Sequence, residues 1–225
     1  MKLLADIGNS QIKVAQNDNQ KLLKIKSFSI EDIEKFRKYI TKTYAIKGCT
    51  LFYSSVLGDK FNRKFKKTLK GIFISETQFK STKSLMAARN CYNQPGKLGS
   101  DRWAQIVAAH KIFKKNTMIV SCGSAISIDY VTATGIHKGG LILSGAERYN
   151  NCFLDIHNLK NIKLSNNLNK NSNILQSNTI KQITTGYKVM ISSSINEIYS
   201  TLCQKGKPNQ IYLLQVVIQK SYLEI

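Results

Sequence analysis

The sequence predicts a duplicated α/β fold, in which two halves share one order of elements. A β-hairpin, a helix and a further strand follow one another from the N-terminus, and a similar order begins again at Met118. Apolar residues alternate within the expected strands and recur at helical spacing within the expected helices. The 225 residues, of which 42% are hydrophobic, are enough for one large domain or two smaller ones with a shared core.

The first half is expected to alternate strands with helices. Ser29 begins a capping pattern ahead of Ile33, Phe36 and Ile40, which stand at the spacing of an amphipathic helix. The elements expected in this half are a hairpin over 2–7 and 11–16, a strand over 20–30, that helix, a buried strand over 50–56, a basic helix over 58–70 and a short strand over 72–74.

The second half is expected to repeat this order after a connecting region. Trp103, Ile106, Val107 and Phe113 recur at helical spacing, and Pro95-Gly96 interrupts the chain before them. The expected elements are loop and short helix over 81–98, a helix from Asp101, strands over 118–120, 126–131 and 139–145, a loop-rich stretch over 150–178, a helix over 179–203 and a strand over 210–218. The predicted halves are 1–88 and 89–225.

The net charge of +21, from 34 Lys and Arg against 13 Asp and Glu, is a possible sign of nucleic-acid or acidic-membrane binding. Most of these cations are dispersed lysines, and asparagine is also abundant. Because both residues have AT-rich codons, genome composition is a sufficient alternative explanation. Zinc-finger spacing, RNA-recognition signatures and leucine-zipper heptads are absent from the sequence, so we do not expect nucleic-acid binding to be the main role.

Membrane and secretory functions are also not expected. No apolar run approaches the roughly 20 residues that span a bilayer, and Asp6 comes too early for a signal peptide. The five cysteines are an odd number, widely spaced and without a Cys-x-x-Cys pair. A disulfide framework or zinc site is therefore not expected, and a reducing cytoplasm fits best.

The most informative segment is the turn of the first hairpin. It consists of Asp6, Ile7, Gly8, Asn9, Ser10, Gln11, Ile12 and Lys13. Such a turn exposes backbone N–H groups and a carboxylate together, which suits nucleotide phosphates and their Mg²⁺. Ordinary hairpin punctuation is the alternative, because Asp, Gly and Asn are common turn residues.

Two later segments strengthen the first interpretation. One is Gly99-Ser100-Asp101-Arg102-Trp103, and the other runs from Ser121 through Gly123 and Ser124 to Asp129, with Gly139-Gly140 downstream. In order and spacing, the three segments resemble the type III pantothenate kinases, a family that includes the Bvg accessory factors. The resemblance runs from about residue 2 to residue 213.

This resemblance implies two ribonuclease-H-like halves of the acetate-and-sugar-kinase/actin-like superfamily, and a homodimer. It also implies ATP-dependent phosphorylation of pantothenate, the first step towards coenzyme A. Carried over by position, the residues from Asp6 to Lys13 would cradle the ATP phosphates, with Asp6 helping to place Mg²⁺. Ser124, where the family usually has threonine, would give a second phosphate contact.

The substrate positions follow from the same resemblance. Tyr92, Gly99, Ser100, Asp101, Arg102 and Thr179 match pantothenate-binding positions, and Asp101 matches the proton acceptor. The chemistry supports these roles, because a primary hydroxyl attacking a γ-phosphate needs a carboxylate to orient it and take its proton. Arg102 can also hold a substrate carboxylate in a bidentate fork.

Each residue also has a structural alternative. Asp101 before a helical run is by default an N-cap or first-turn acid. Gly8 and Gly123 are ordinary turn residues, Tyr92 is a packing residue, and Asp129 caps the end of a strand. The histidines lack an acid or cysteine pattern in the sequence and are predicted to be structural; they are His110, His137 and His157.

The chain departs from the family pattern in two places. Ser121 stands where the family has an aspartate that helps bind a monovalent cation, K⁺ or NH₄⁺. A serine hydroxyl offers an oxygen ligand without charge, so we expect a weakened cation site, with either reduced activity or a dispensable cation. Ser144 replaces a usual proline, which matters less.

The second departure follows Leu213, where the family continues with a Thr-Gly-Gly-Asp-like turn near the adenosine site. This chain reads Leu-Gln-Val-Val-Ile-Gln-Lys-Ser over 214–221. The codons allowed for residues 214–223, read from the third base of Leu214, permit Thr-Gly-Gly-Asp-Ser-Lys-Lys-Leu-Ser. Our hypothesis is that a frameshift, in the gene or in its sequencing, truncated an otherwise ordinary kinase in its C-terminal half; sequencing the gene across this point tests it.

Two other functions remain open at this stage. The first is a non-catalytic regulator or nucleic-acid-binding protein on the same fold, suggested by the charge, Ser121 and the missing C-terminal motif. Salt-dependent DNA binding that is present at physiological ionic strength would favour it, because phosphate contacts release counterions. The second is a kinase of the same superfamily that acts on another sugar or small alcohol, which the segment from Gly99 to Arg102 argues against.

Overall fold

The computed structural model describes residues 1–19, 21–44, 48–157, 159, 164, 173–205 and 212–217. Backbone proximity divides the chain into two units, Met1–Lys83 with Tyr92–Gln105 and Ser84–Cys91 with Ile106–Ile225. These units group residues that lie close together, whereas the predicted halves, 1–88 and 89–225, are repeats of one order of elements. The two kinds of division need not fall at the same residue. The predicted boundary between residues 88 and 89 therefore stays a prediction.

The first unit contains a five-stranded mixed sheet. Its strands are β1 (Lys2–Ile7), β2 (Gln11–Asp18), β3 (Lys21–Ser29), β4 (Thr50–Ser55) and β5 (Ser75–Phe79). They are arranged in the order β3-β2-β1-β4-β5. The first three strands form an antiparallel meander, and β4 and β5 add in parallel beside β1.

Two helices join the parallel strands of this sheet, as the apolar spacing predicts: α1 (Ile33–Tyr44) and α2 (Asp59–Leu69). Asp32 caps α1, because its carboxylate accepts the Lys35 N–H at 3.0 Å. The core combines alternate residues of β1 and β2 with the apolar faces of both helices. It includes Leu3, Ile7, Ile12, Val14, Phe36, Ile40, Leu51, Tyr53, Phe65 and Leu69.

The strand predicted over 72–74 is wrong. Gly71 has a φ of +80°, in the left-handed region that glycine favours, and the Ile72 N–H donates to the Leu69 carbonyl at 3.1 Å. Ile72 and Phe73 then pack against the core. The apolar run covers the end of α2, and the more polar segment that follows it forms β5 beside β4.

The connecting region forms a short hairpin, a turn and a helix. The hairpin pairs β6 (Ser84–Leu85) with β7 (Ala88–Arg89), and a 3₁₀ turn covers Pro95–Lys97. Helix α3 (Ser100–Phe113) follows directly.

The second unit repeats the strand order of the first. Its sheet contains β8 (Thr117–Cys122), β9 (Ala125–Val131), β10 (His137–Ser144) and β11 (Tyr212–Val217), in the order β10-β9-β8-β11. As in the first unit, an antiparallel meander is followed by a strand parallel to its first member. Helices α4 (Ala146–Asn151) and α5 (Thr179–Lys205) precede β11. The duplicated α/β architecture is confirmed.

The core of the second unit lies between its sheet and α5. Met118, Val120, Ile126 and Ile128 of the sheet pack with Tyr187, Ile191 and Ile195 of the helix. Much of the loop-rich stretch predicted over 150–178 lies outside the described residues. Residues 210, 211 and 218 of the last predicted strand also lie outside them, as do residues 219–225. None of the helices in the described ranges is both long and apolar enough to cross a membrane.

Candidate active site

The predicted phosphate turn is the turn of the β1–β2 hairpin. Asp6, near the end of β1, lies opposite Lys13 of β2 in the antiparallel register. The Gly8 N–H donates to the Gln11 carbonyl at 3.0 Å and closes the turn. Asn9 at its tip is exposed, and its neighbours on both sides are partly exposed. The turn therefore presents a carboxylate, an amine and backbone amides together.

Ser54 fixes the carboxylate of Asp6. It lies beside Asp6 in the parallel register of β4 against β1, and its hydroxyl donates to Asp6 Oδ1 at 2.8 Å. Sequence analysis missed this residue, since forty-eight positions separate the two. The signal that could have found it is the parallel pairing of β1 with β4, which places serine at the same level as the acid.

Lys13 is partly buried beside this carboxylate. Burial lowers the pKa of its ammonium group, and the negative charge of Asp6 acts in the opposite direction. The lysine is thus a cation held close to the turn by its position on β2, in a less polar setting than an ordinary surface lysine.

The start of α3 is attached to the end of β4. The Trp103 N–H donates to the Gly99 carbonyl at 2.9 Å, which makes Gly99 the N-terminal capping position of the helix. The buried Ser100 then donates its hydroxyl to the Ser55 carbonyl at 3.1 Å. The preceding residue, Ser54, donates to the Asp6 carboxylate. Two successive residues of β4 therefore contact the turn and the start of α3.

Asp101 lies in the first turn of α3 and is partly buried. Burial raises the pKa of its carboxyl group, and the nearby Asp6 carboxylate raises it further. Hydrogen bonds from backbone N–H groups at Arg102 and at Asp101 itself, together with the charge of Arg102, act in the opposite direction. The net effect is a carboxyl group with a raised pKa, which makes it a stronger proton acceptor than an ordinary aspartate.

Gly99 leaves the space that this carboxyl group occupies. A Cβ atom built at Gly99 would lie 2.6 Å from Asp101 Oδ1, well inside van der Waals contact. The φ of Gly99 is not in the left-handed region, so backbone conformation does not require glycine here. The close approach of the Asp101 carboxylate is the reason for glycine at this position.

Arg102 and Tyr92 lie together in the same unit. Arg102 is 8% exposed, and its Nη1 donates to the Tyr92 hydroxyl at 3.5 Å. The Tyr92 carbonyl accepts a hydrogen bond from Lys83 Nζ at 3.4 Å. A buried guanidinium beside a tyrosine hydroxyl is suited to recognising a planar anion such as a carboxylate.

The other predicted site residues belong to the second unit. Ser124 lies in the β8–β9 turn, where the Gly123 N–H donates to the Ala125 carbonyl at 3.1 Å. Ser121 is buried in β8 and pairs with Ser127 of β9. Thr179 is the first residue of α5, it is exposed, and Asn178 caps that helix.

The first unit has two carboxylates that suit a divalent cation. Mg²⁺ is usually bound by one or two protein carboxylates and completed by phosphate and water oxygens. Asp6 and Asp101 are near enough for their charges to interact, and this fits such a cation. Within the described part of the chain, no group of three or more His, Cys, Asp or Glu side chains is arranged as an all-protein metal site.

Comparison with known proteins decides the family. A family model described as type III pantothenate kinase matches residues 2–201. The chain belongs to the type III pantothenate kinase family. This confirms the resemblance drawn from the three sequence segments, and it identifies a family of kinases that transfer phosphate to an alcohol group.

Individual relatives agree with this membership. A type III pantothenate kinase of Nitrosococcus oceani is 32% identical over 153 residues, which cover 64% of this chain and 57% of the relative. A type III pantothenate kinase of Hahella chejuensis is 35% identical over 101 residues, which cover 44% of this chain and 41% of the relative. The chain thus spans about half the length of the curated relatives it matches.

Solved structures support the fold. A structure from Campylobacter jejuni, named for the Baf family of transcriptional activators, has a TM-score of 0.56 at 23% identity, covering 87% of this chain and 78% of that one. A structure from Sinorhizobium meliloti, named for 2-dehydro-3-deoxygalactonokinase, has a TM-score of 0.57 at 8% identity, covering 95% and 85%. At these identities the likeness shows the fold alone, and it agrees with the duplicated α/β architecture described above.

Proposed function

We propose that this member of the type III pantothenate kinase family phosphorylates pantothenate to 4′-phosphopantothenate with ATP. The observation that carries the proposal is Asp101, a partly buried carboxyl group of raised pKa in the same unit as the Asp6–Lys13 turn. Phosphoryl transfer requires mainly positioning and charge neutralisation. A carboxylate that orients the attacking hydroxyl and accepts its proton is the principal chemical group it needs.

In this proposal the turn binds the phosphates of ATP. Its backbone amides and Lys13 face the anionic end of the nucleotide, and Ser54 keeps the Asp6 carboxylate in place. A Cβ at Gly8 would meet only the Gln11 carbonyl, at an ordinary 3.6 Å, and the φ of Gly8 is not left-handed. Since the fold itself does not require glycine here, close approach of a ligand to the backbone is a sufficient reason for it.

Arg102 binds the carboxylate of pantothenate, with Tyr92 beside it. The hydrogen bond between them holds the guanidinium in one orientation, which favours a bidentate contact. Gly99 and Ser100 act indirectly, by giving the Asp101 carboxylate its place and by attaching α3 to β4. We also propose that Ser124 gives a second phosphate contact and that Thr179 gives a further pantothenate contact.

The proposal includes Mg²⁺ held by Asp6, which when bound would neutralise charge on the transferring phosphates. It also includes a homodimer and a cytoplasmic location, the latter supported by five free cysteines.

Ser121 stands at the family's K⁺ or NH₄⁺ position, and its neutral, buried hydroxyl supports only weak cation binding. We therefore propose that the protein depends little on a monovalent cation.

The test is ADP release from purified protein with ATP, Mg²⁺ and pantothenate, with and without K⁺. Pantothenate-dependent release that Asp101→Asn lowers by about 10² to 10⁴-fold would support the proposal. Release that is equal with other primary alcohols would instead favour a different small-alcohol kinase. Unchanged turnover in a folded Asp101→Asn variant would refute the role of Asp101.

The regulator hypothesis is not favoured, because the matching family and the curated relatives reported above are named as kinases. It would return only if a folded protein released no ADP and bound DNA at physiological salt. Binding that disappears below that salt concentration would reflect the net charge of +21 alone.

A further inference from the structure

The second unit contains a cysteine, a histidine and an aspartate in a row. Asp129 Oδ1 lies 2.9 Å from His137 Nε2, and His137 Nδ1 lies 3.4 Å from Cys91 Sγ. The imidazole and the aspartate are 0% and 2% exposed, whereas Cys91 is exposed. His137, which the sequence predicts to be structural, therefore has an acid and a cysteine partner that no sequence pattern indicated. The prediction that Asp129 caps the end of a strand is wrong, since Asp129 lies within β9.

The backbone holds these three residues in place. Asp129 and His137 belong to the paired strands β9 and β10, in which His137 lies opposite Val131. The Arg89 N–H donates to the Gly135 carbonyl at 2.8 Å and fixes the segment that leads to Cys91 against the β9–β10 turn. The contact between thiol and imidazole thus follows from main-chain pairing rather than from a flexible surface side chain.

The arrangement sets the roles of the two histidine nitrogens. An ionised carboxylate only accepts hydrogen bonds, so the bond to Asp129 places the proton of a neutral His137 on Nε2. Nδ1 then has its lone pair on the side of the Cys91 thiol and can take its proton. A base beside a cysteine, oriented in turn by a third group, is the arrangement that activates thiols as nucleophiles.

We propose that Cys91 is an activated thiol that forms mixed disulfides with low-molecular-weight disulfides. The Cys91 thiol gives its proton to His137 Nδ1, and the resulting thiolate attacks one sulfur of the disulfide R–S–S–R. A Cys91–S–S–R bond forms, the original S–S bond breaks, and the leaving thiolate R–S⁻ takes the proton from His137 to become R–SH. Cys91 is oxidised, the departing sulfur is reduced, and Asp129 is the positioning residue.

The chain supplies its own controls for this chemistry. Cys152 is also exposed, but the partner of its thiol is the Arg148 carbonyl rather than a base. Cys49 and Cys122 are buried, at 0% and 1% exposure, and report on unfolding because they react only when the core opens. The probe is the neutral bis(2-hydroxyethyl) disulfide, because a net charge of +21 would attract an anionic reagent to every exposed thiol.

The experiment measures the rate of adduct formation at each cysteine of the reduced full-length protein by peptide mass spectrometry. We expect Cys91 to react about tenfold or more faster than Cys152, with Cys49 and Cys122 unmodified. Cys91 reacting no faster than Cys152 in the folded protein would overturn the proposal. This result is independent of kinase activity, so it stands whether or not pantothenate is phosphorylated.

Asp129→Asn tests the row of three residues directly. We expect this variant to lower the Cys91 rate about tenfold, while the Cys152 rate stays the same. An unchanged Cys91 rate, with Cys49 and Cys122 still protected, would overturn the proposed role of His137 and Asp129. Should the buried cysteines become reactive, the variant has unfolded, and the ratio of Cys91 to Cys152 in the wild-type protein decides the question.

Discussion

The Asp101 carboxylate lies over Gly99, so close that a Cβ atom at that glycine would be 2.6 Å from Asp101 Oδ1. The clash would be with the end of a side chain and not with backbone. A larger residue at 99 would therefore displace the carboxylate and leave the helix intact. This relationship separates an effect on catalysis from an effect on folding.

We accordingly expect Gly99→Ala to lower kcat by about 10²-fold, because small displacements of a catalytic group carry large rate costs. The matched control is Gly96→Ala in the 3₁₀ turn before α3, where a Cβ would meet nothing within 4 Å. Steady-state kinetics on both variants, with circular dichroism to check folding, make the comparison. Equal activity of the two variants would contradict the proposed position of Asp101.

The raised pKa of Asp101 predicts the pH dependence of activity. The proton acceptor must be ionised, and burial and Asp6 both favour its protonated form. The acidic fall in kcat/KM should therefore begin at a higher pH than an ordinary aspartate, with a pKa of about 3.9, would give. A pH profile of ADP release, measured chromatographically, tests this; a profile flat down to pH 4 would contradict it.

The same shift predicts that Asp101→Asn stabilises the protein. Since the pKa is raised in the folded state, the folded protein binds this proton more tightly, and stability is lost as pH rises through the folded pKa. At neutral pH, removing the charge should raise the melting temperature. The control Asp59→Asn changes an exposed first-turn acid of α2 and should cost about 0.3 to 1 kcal/mol through the helix dipole.

Thermal unfolding followed by circular dichroism at pH 7 measures both variants. The two substitutions should shift the melting temperature in opposite directions. A lower melting temperature for Asp101→Asn would mean that this carboxylate mainly stabilises the start of α3, the structural role that its sequence position allows.

Ser54→Ala should weaken nucleotide binding. The variant loses the 2.8 Å hydrogen bond to Asp6 Oδ1, and a hydrogen bond to a charged group contributes about 1.5 to 3 kcal/mol. We expect KM for ATP to rise about tenfold or more, with KM for pantothenate little changed. Ser75→Ala is the control, because Ser75 is an exposed serine that donates to Thr50 Oγ1 at 3.3 Å on the same sheet. Equal KM values for ATP in the two variants would contradict the proposed role of Asp6.

Lys13→Met should act on the nucleotide in a similar way. It removes a partly buried cation from the turn but keeps a side chain of similar length, so the hairpin should fold. Loss of one phosphate contact is expected to raise KM for ATP about tenfold. Lys26→Met, on the exposed strand β3, removes the same charge elsewhere and should leave KM unchanged. An equal rise in both variants would indicate a general charge effect.

Local sequence patterns account for most of the fold. Alternation at 2–7 and 11–16, and the helical spacing from Ile33 and from Trp103, identify elements that the structure contains. The strand that the same patterns predict over 72–74 is wrong, because apolar character does not distinguish a strand from a segment that covers the end of a helix. Gly71 and the packing of Ile72 and Phe73 decided that case.

The candidate site divides in the same way. Sequence by itself predicted the Asp6–Lys13 turn and the segment from Gly99 to Arg102 as candidate site residues, because short motifs keep their chemical groups within a few residues of one another. Ser54, the contact between Asp101 and Gly99, and the row from Cys91 to Asp129 were decided only by tertiary structure. Their partners meet through strand pairing, a helix start and side-chain packing. Such contacts depend on where the chain folds in space, and no local pattern of residues encodes that.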